Sequence, residues 1–132
     1  IGQELTVPLV AQSVVLTRTQ ARSTAMPDRE SLEAFAATGS TLVLHLAITR
    51  TRDLMTRLAP HYGADCPVVV VYRASQPDEV VVRGTIGGAQ PIADAVEAAE
   101  LRQAAVILVG PALAARTTGG ESYLYSAERT RR

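Results

Sequence analysis

The chain has 132 residues, of which 47% are hydrophobic, and its 13 basic and 13 acidic side chains cancel. This length and composition favour one globular domain over a disordered chain, and a balanced charge gives no general reason to bind nucleic acid or an anionic membrane. The single cysteine, Cys66, excludes an internal disulfide and a cysteine-cluster metal site. The sequence shows neither an apolar run long enough to span a membrane nor a signal-peptide pattern, so we expect a cytoplasmic protein.

All 13 basic residues are arginine. Without lysine the chain cannot form a Schiff base with a carbonyl substrate or with pyridoxal phosphate, and it lacks the lysine of a P-loop. Tryptophan is also absent and the chain has one phenylalanine, so Val, Leu, Ile and Ala must build the core. Small residues of this kind suit helices that pack closely on a sheet.

The first half of the chain predicts a strand and a helix after a short linker. We interpret residues 1–12 as an interdomain linker and predict the first strand over Ser13–Thr17. A loop leads to a helix predicted over Arg29–Thr38, with Asp28 as its N-cap and Gly39 just beyond its end.

The middle of the chain contains a nearly continuous apolar run. Thr41–Ala47 is predicted to be the central strand, because a short run rich in Leu and Val is typical of a strand buried on both faces. The next helix carries Leu54, Met55 and Leu58 at helical spacing, and Pro60 is expected just beyond its end.

The second half predicts an antiparallel hairpin from two strands, Pro67–Tyr72 and Glu79–Thr85, because their connection is short. A third helix precedes the last core strand, Ala104–Gly110. The order β-α-β-α-β-β-α-β predicts one α/β domain over residues 13–115, with a mixed, mostly parallel sheet flanked by helices. Residues 116–132 are predicted to be an irregular C-terminal tail.

Residue types alone leave the candidate sites open. Arg18 and Arg22 are either a clamp for a substrate carboxylate or two solvated loop arginines. His45, near the end of the central strand, is either a general base or a strand-end histidine with satisfied hydrogen bonds. Gly84 and Thr85 either let a backbone approach a ligand closely or form an ordinary turn.

Other polar residues favour structural roles. The acidic residues Asp28, Glu30 and Glu33 complement the positive end of a helix dipole, and Cys66 is interpreted as a small packed residue. No G-x-G-x-x-G motif follows a strand, so the usual dinucleotide fold has no support. We assign no catalytic residue and no metal ligand.

Several segments together resemble precorrin-4 C11-methyltransferases, which belong to the tetrapyrrole methylases. The segments follow the family pattern in order along essentially the whole chain, and each alone would be a weak signal. They are Gly2–Pro8, Gln12-Ser13, Leu16–Arg18, Arg22, Met26-Pro27, Pro67–Ser75, Pro77–Glu79, Arg83–Ile86 and Ser122–Ser126.

The resemblance implies a methyltransferase of cobalamin biosynthesis that uses S-adenosylmethionine and methylates a ring carbon of a precorrin. The chain is similar to the C-terminal domain of these two-domain enzymes. The resemblance therefore implies a missing N-terminal domain, a cofactor cleft between the two domains, a homodimer, and no activity for this chain alone.

By position, the resemblance also implies site residues. Expected cofactor contacts are Leu46, Ala47, Arg73, Ala74, Gly84 and Thr85, with the Gly84-Thr85 backbone closing on the adenine side. Because a precorrin carries acetate and propionate groups, Arg18 and Arg22 become candidate substrate contacts. Two alternatives are another tetrapyrrole methylase of the same pathway and an α/β module that dimerises without catalysis.

Overall fold

The computed structural model describes residues 1–19 and 25–114, and this part of the chain contains five strands and three α-helices. The strands are Val14–Arg18 (β1), Thr41–His45 (β2), Pro67–Tyr72 (β3), Val80–Thr85 (β4) and Ala105–Val109 (β5). The α-helices are Leu32–Ala36 (α1), Thr51–Tyr62 (α2) and Ile92–Ala98 (α3). None of the described helices is both long and apolar enough to span a bilayer.

The five strands form one mixed sheet in the order β1-β2-β5-β3-β4, which confirms an α/β fold with flanking helices. The pairing differs from the mostly parallel one expected. β1 and β2 are parallel, whereas β5 is antiparallel to both β2 and β3, and β4 is antiparallel to β3. The β3–β4 hairpin reverses the chain before α3, and the crossover through α3 then delivers β5 parallel in direction to β4.

All three helices contribute to a core on one face of the sheet. Aliphatic side chains from the inner strands meet those of the helices there: Leu42, Leu44, Val68, Val70, Ile107 and Val109 from the sheet, and Leu32, Leu54, Leu58, Ile92 and Val96 from the helices. Burying one such side chain contributes about 1.5–3 kcal/mol. The expected core of Val, Leu, Ile and Ala is confirmed.

The opposite face of the sheet is covered only in part. Leu5 and Leu113 pack against the valine and leucine side chains at its centre, and the Thr41 hydroxyl donates a hydrogen bond of 2.7 Å to the Leu5 carbonyl. The cover does not reach β1, where the Leu16 side chain is 70% exposed. We call this region, where Val14 and Leu16 are not covered by any of the described residues, the open face.

The helix boundaries differ from the predicted ones at two places. Asp28–Glu30 forms a separate 3-10 turn, and the N-cap of α1 is Ser31, whose hydroxyl accepts a hydrogen bond of 3.1 Å from the Ala34 N–H. The prediction of Asp28 as N-cap is wrong because the extended backbone of Ser31 interrupts the helix. α2 also continues through Pro60, which lies in its last turn.

Candidate functional site

The carboxyl ends of β1, β2 and β3 and the start of β5 lie together at one end of the sheet. Arg18 lies beside His45 in the β1–β2 register, and Tyr72 lies beside Ala105 in the β3–β5 register. In α/β sheets, ligands bind just outside the carboxyl ends of the strands. This end of the sheet is therefore the expected position of a ligand site.

A hollow of about 560 Å³ lies at this edge, and we call it the strand-end groove. Its volume is within the range of small-molecule sites. Its walls are mostly apolar or small, with one arginine and no carboxylate among the lining residues. These are His45, Leu46, Ile48, Thr49, Val71, Ala74, Arg102, Gln103, Ala104, Ala105 and Val106.

The backbone around the groove is strained. Leu46, Arg73, Ser75 and Ala104 have φ values of 56°, 47°, 66° and 51°, which are four of the six left-handed conformations of non-glycine residues in the described ranges. Each costs about 1–3 kcal/mol, and such residues cluster at ligand sites. The clustering at one edge supports a functional role for the groove.

The two predicted residues after β2 have different surroundings. Leu46 is 83% exposed and lines the groove, whereas Ala47 is fully buried in the core on the helix side of the sheet. The Ala47 carbonyl accepts a hydrogen bond from the Arg50 N–H at 2.9 Å. Leu46 is thus the residue of this pair whose side chain lines the groove.

The loop after β3 is held by its own polar groups. Arg73 Nε donates to Asp78 Oδ1 at 2.7 Å, and this hydrogen bond lowers the pKa of Asp78. The Arg73 N–H donates to the Ala104 carbonyl at 2.8 Å, which ties the loop to the start of β5. Arg73 therefore acts within the loop, and Ala74 is the neighbour that lines the groove.

Gly84 and Thr85 lie at the opposite end of the sheet, where Thr85 is paired with Pro67. A Cβ atom on Gly84 would lie 2.7 Å from the Gln90 carbonyl oxygen, and the Thr85 hydroxyl donates to the Gly87 carbonyl. Because β4 runs antiparallel to β3, both residues lie at the end of the sheet away from Leu46 and Ala74. Their contact with the adenine side stays a prediction. Gly84 allows close packing of the chain on itself.

The predicted substrate arginines are only partly described. Arg18 is half-buried at the end of β1 and lines a separate hollow of about 110 Å³ with Arg57, whose Nε donates to Glu33 Oε1 at 2.7 Å. Arg22 lies outside the described residues. Their joint contact with a substrate carboxylate therefore stays a prediction.

Most residues that line the groove were not among the predicted site residues, and Ala104 and Arg102 are two of them. Ala104 and Arg102 precede β5, and they reach the site because β5 starts where β2 and β3 end. Their position near the start of the last apolar run is visible in the sequence. Placing them at the site, however, requires knowing the direction of β5. No group of three possible metal ligands occurs in residues 1–19 and 25–114.

The comparisons with known proteins agree on one family. The family model of Tetrapyrrole (Corrin/Porphyrin) Methylases matches residues 1–90. A precorrin-4 C(11)-methyltransferase of Sinorhizobium sp is 51% identical over 100% of this chain and 51% of its own length. The enzyme of that name from Rhodococcus erythropolis is 49% identical over 99% of this chain and 51% of its own length. The chain thus spans about half the length of these curated relatives.

Solved structures agree with this result. A cobalt precorrin-4 methyltransferase, described as a cobalamin biosynthetic enzyme, superposes with a TM-score of 0.77 and 39% identity over 84% of this chain and 45% of the other. The uroporphyrin-III C-methyltransferase of Thermus thermophilus in complex with S-adenosyl homocysteine has a TM-score of 0.65 and 23% identity, covering 86% of this chain and 48% of the other. The second likeness shows the fold alone.

Proposed function

We propose, because the chain belongs to the tetrapyrrole (corrin/porphyrin) methylase family, that it is the C-terminal domain of an S-adenosylmethionine-dependent precorrin-4 C11-methyltransferase of cobalamin biosynthesis. Relatives of that name match 97% or more of this chain at 43–51% identity. The observation that carries the proposal is the strained, mostly apolar groove at the strand ends. The groove lies outside the carboxyl ends of β1, β2 and β3, and ligands of open α/β sheets bind at such strand ends.

The residues of the groove fit an adenosyl group. Leu46 and Ala74 supply apolar walls, and Ala104 leaves room for a flat ring system next to the backbone. Small side chains also leave main-chain N–H and C=O groups accessible to the polar edge of a base. When bound, S-adenosylmethionine supplies the methyl group as part of a sulfonium, which an electron-rich ring carbon attacks.

This chain contributes positioning and the exclusion of water to such a transfer. Both are the main requirements when charge is dispersed in the transition state, and no base on this chain is assigned. The groove is exposed on one side, as the 83% exposure of Leu46 indicates. We therefore also propose that an N-terminal domain closes the cleft, and that the C-terminal domain is inactive by itself.

We also propose contacts with the substrate and with a second copy of the protein. Arg18 is retained as a candidate contact for a substrate carboxylate, together with Arg22, and Leu46, Ala47, Arg73 and Ala74 remain the proposed cofactor segment. The exposed apolar side chains of the open face support association into a homodimer, since such surfaces are costly to leave in water. We propose that this homodimer is cytoplasmic.

The experiment uses the full-length protein that contains this chain. Calorimetric titration with S-adenosylhomocysteine should show binding, and radiolabelled S-adenosylmethionine should transfer its methyl group to precorrin-4. Labelling of a different tetrapyrrole instead would favour another methylase of the pathway. A stable dimer that neither binds S-adenosylhomocysteine nor transfers methyl groups would favour the non-catalytic module.

A further inference from the structure

Arg102 lies where two surface hollows meet. It lines the strand-end groove and also a neighbouring hollow of about 540 Å³ beside the start of α2. Ile48 and Thr49 are the other residues that line both hollows. A cation at this position faces any ligand that extends from one hollow into the other.

Other arginines at this edge are already engaged. Arg52 donates to Asp94 at 2.6 Å and to Glu97 at 2.8 Å, so that it links α2 to α3. Arg73 donates to Asp78 at 2.7 Å within its own loop. Their guanidinium groups are therefore committed to the protein.

Arg102 has no such partner in the part of the chain that the structure describes. It is exposed and makes no hydrogen bond or ion pair with any residue in ranges 1–19 and 25–114. Glu100 also lines the neighbouring hollow but forms no ion pair with Arg102, and no carboxylate lines the strand-end groove.

The proposed closure of the cleft would remove water from around Arg102. An arginine left in a closed, dry site without a counter-ion loses its hydration and gains nothing in return. A guanidinium instead favours a carboxylate, which it binds through two parallel hydrogen bonds. The described lining residues of the strand-end groove supply no carboxylate, whereas the neighbouring hollow is lined by Asp53, Glu97 and Glu100, so an anion that enters the groove itself would balance the charge of Arg102 there.

We propose that Arg102 binds a carboxylate of a bound reactant at the junction of the two hollows. This inference rests on the proposed function, which supplies two sources of that group: the amino-acid end of the cofactor and the acetate or propionate side chains of the tetrapyrrole. Arg102 was not among the residues implied by the family resemblance.

The test compares three probes on the full-length protein. S-adenosylhomocysteine and 5′-methylthioadenosine share the adenosyl group, but only the first carries the amino-acid carboxylate, and both are titrated by calorimetry. Uroporphyrin III, which carries acetate and propionate groups, is titrated by fluorescence. The variant is Arg102→Gln, and the matched control is Arg29→Gln, an exposed arginine that lines neither hollow.

Loss of a charged hydrogen bond predicts roughly tenfold weaker binding of one probe by Arg102→Gln. Weaker S-adenosylhomocysteine with unchanged 5′-methylthioadenosine identifies the cofactor carboxylate. Weaker uroporphyrin III with both nucleosides unchanged identifies the substrate carboxylate. Arg102→Lys keeps the charge but not the planar guanidinium, so its affinity for that probe should lie between those of the unmodified protein and Arg102→Gln.

Two results would overturn the inference while leaving the proposed function intact. One is that Arg102→Gln binds all three probes as Arg29→Gln does. The other is equal weakening of S-adenosylhomocysteine and 5′-methylthioadenosine with unchanged uroporphyrin III, because the carboxylate would then make no difference. Failure of the unmodified protein to bind S-adenosylhomocysteine would instead overturn the proposed function and this inference with it.

Discussion

The two ends of the sheet both carry small residues but use them differently. At the end where β3 starts, Gly84 lets its backbone pack against the Gln90 carbonyl, and Cys66 is buried beside it in the core. At the other end, Ala74 and Ala104 surround a hollow of about 560 Å³. We call the first the filled end and contrast it with the strand-end groove.

The difference lies in what the small side chains approach. A glycine or alanine indicates that something comes close to the backbone, but topology decides whether that is the chain itself or a ligand. At the filled end the chain satisfies its own contacts. Around the groove, four non-glycine residues have left-handed backbone conformations, a kind of strain that clusters at ligand sites.

The largest expected effect comes from filling the groove. Ala74→Trp places an indole in the proposed adenosyl position, so the affinity of the full-length protein for S-adenosylhomocysteine should fall by roughly a hundredfold or more. The melting temperature should stay unchanged because the new ring occupies an existing hollow. Ala98→Trp, at an exposed position of α3 outside both hollows, is the control. Unchanged affinity in Ala74→Trp would remove the groove from the cofactor site.

The filled end should be closed to reagents. Burial raises the pKa of the Cys66 thiol to about 11, so that it stays protonated in the folded chain at pH 8. Alkylation by iodoacetamide at that pH should be about a hundredfold slower than in denaturant, as followed by mass spectrometry. The thiol is more acidic when unfolded, so its contribution to stability should be lost as pH rises from about 8.5 toward 11. Rapid alkylation of the folded protein would show that this end is open.

Substitution at the filled end should separate stability from binding. Gly84→Ala puts a Cβ atom 2.7 Å from the Gln90 carbonyl oxygen, and the resulting strain should lower the free energy of unfolding by about 1–3 kcal/mol in urea titrations. The affinity for S-adenosylhomocysteine should not change. Gly87→Ala is the matched control, because its Cβ atom would meet the Ala64 Cβ atom at an ordinary 3.5 Å. A loss of affinity without a loss of stability in Gly84→Ala would return the filled end to the cofactor site.

The smallest effect concerns the loop that presents Ala74. Asp78→Asn removes the charged acceptor of Arg73, and the looser loop should weaken S-adenosylhomocysteine binding by about two- to fivefold. Arg73 lowers the pKa of Asp78, so the ion pair is present at neutral pH and is lost as pH falls through that lowered value. Asp28→Asn, in a turn without a side-chain cap hydrogen bond, is the control. Equal affinities in the two variants would show that the pair does not position the loop.

Much of the fold could be predicted because its strands are continuous apolar runs. β2 and β3 were located to within two residues at each end, and the alternation with helices predicted one sheet. The position of β5 between β2 and β3 could not be predicted, since it depends on crossovers that leave no local pattern. The helix α1 was predicted, but its start was placed three residues too early, because the extended conformation of Ser31 is a backbone choice that many residues allow.

The candidate site could be predicted less completely. Leu46 and Ala74 follow predicted strands and do lie near each other at one edge, whereas Gly84 does not. Arg102 and Ala104 reach that edge only because β5 is antiparallel to its neighbours. Left-handed φ values at leucine and alanine are also invisible in a sequence, because glycine is the residue that normally signals them.

The most direct test of the account is an amide NMR titration of the ¹⁵N-labelled full-length protein with S-adenosylhomocysteine. If the strand-end groove forms half of the cofactor site, the N–H signals of Leu46, Ala74 and Ala104 should shift, and those of Gly84 and Thr85 should stay in place. Shifts confined to Gly84 and Thr85, or no shift in either group despite measured binding, would contradict the placement of the cofactor at the carboxyl ends of the strands.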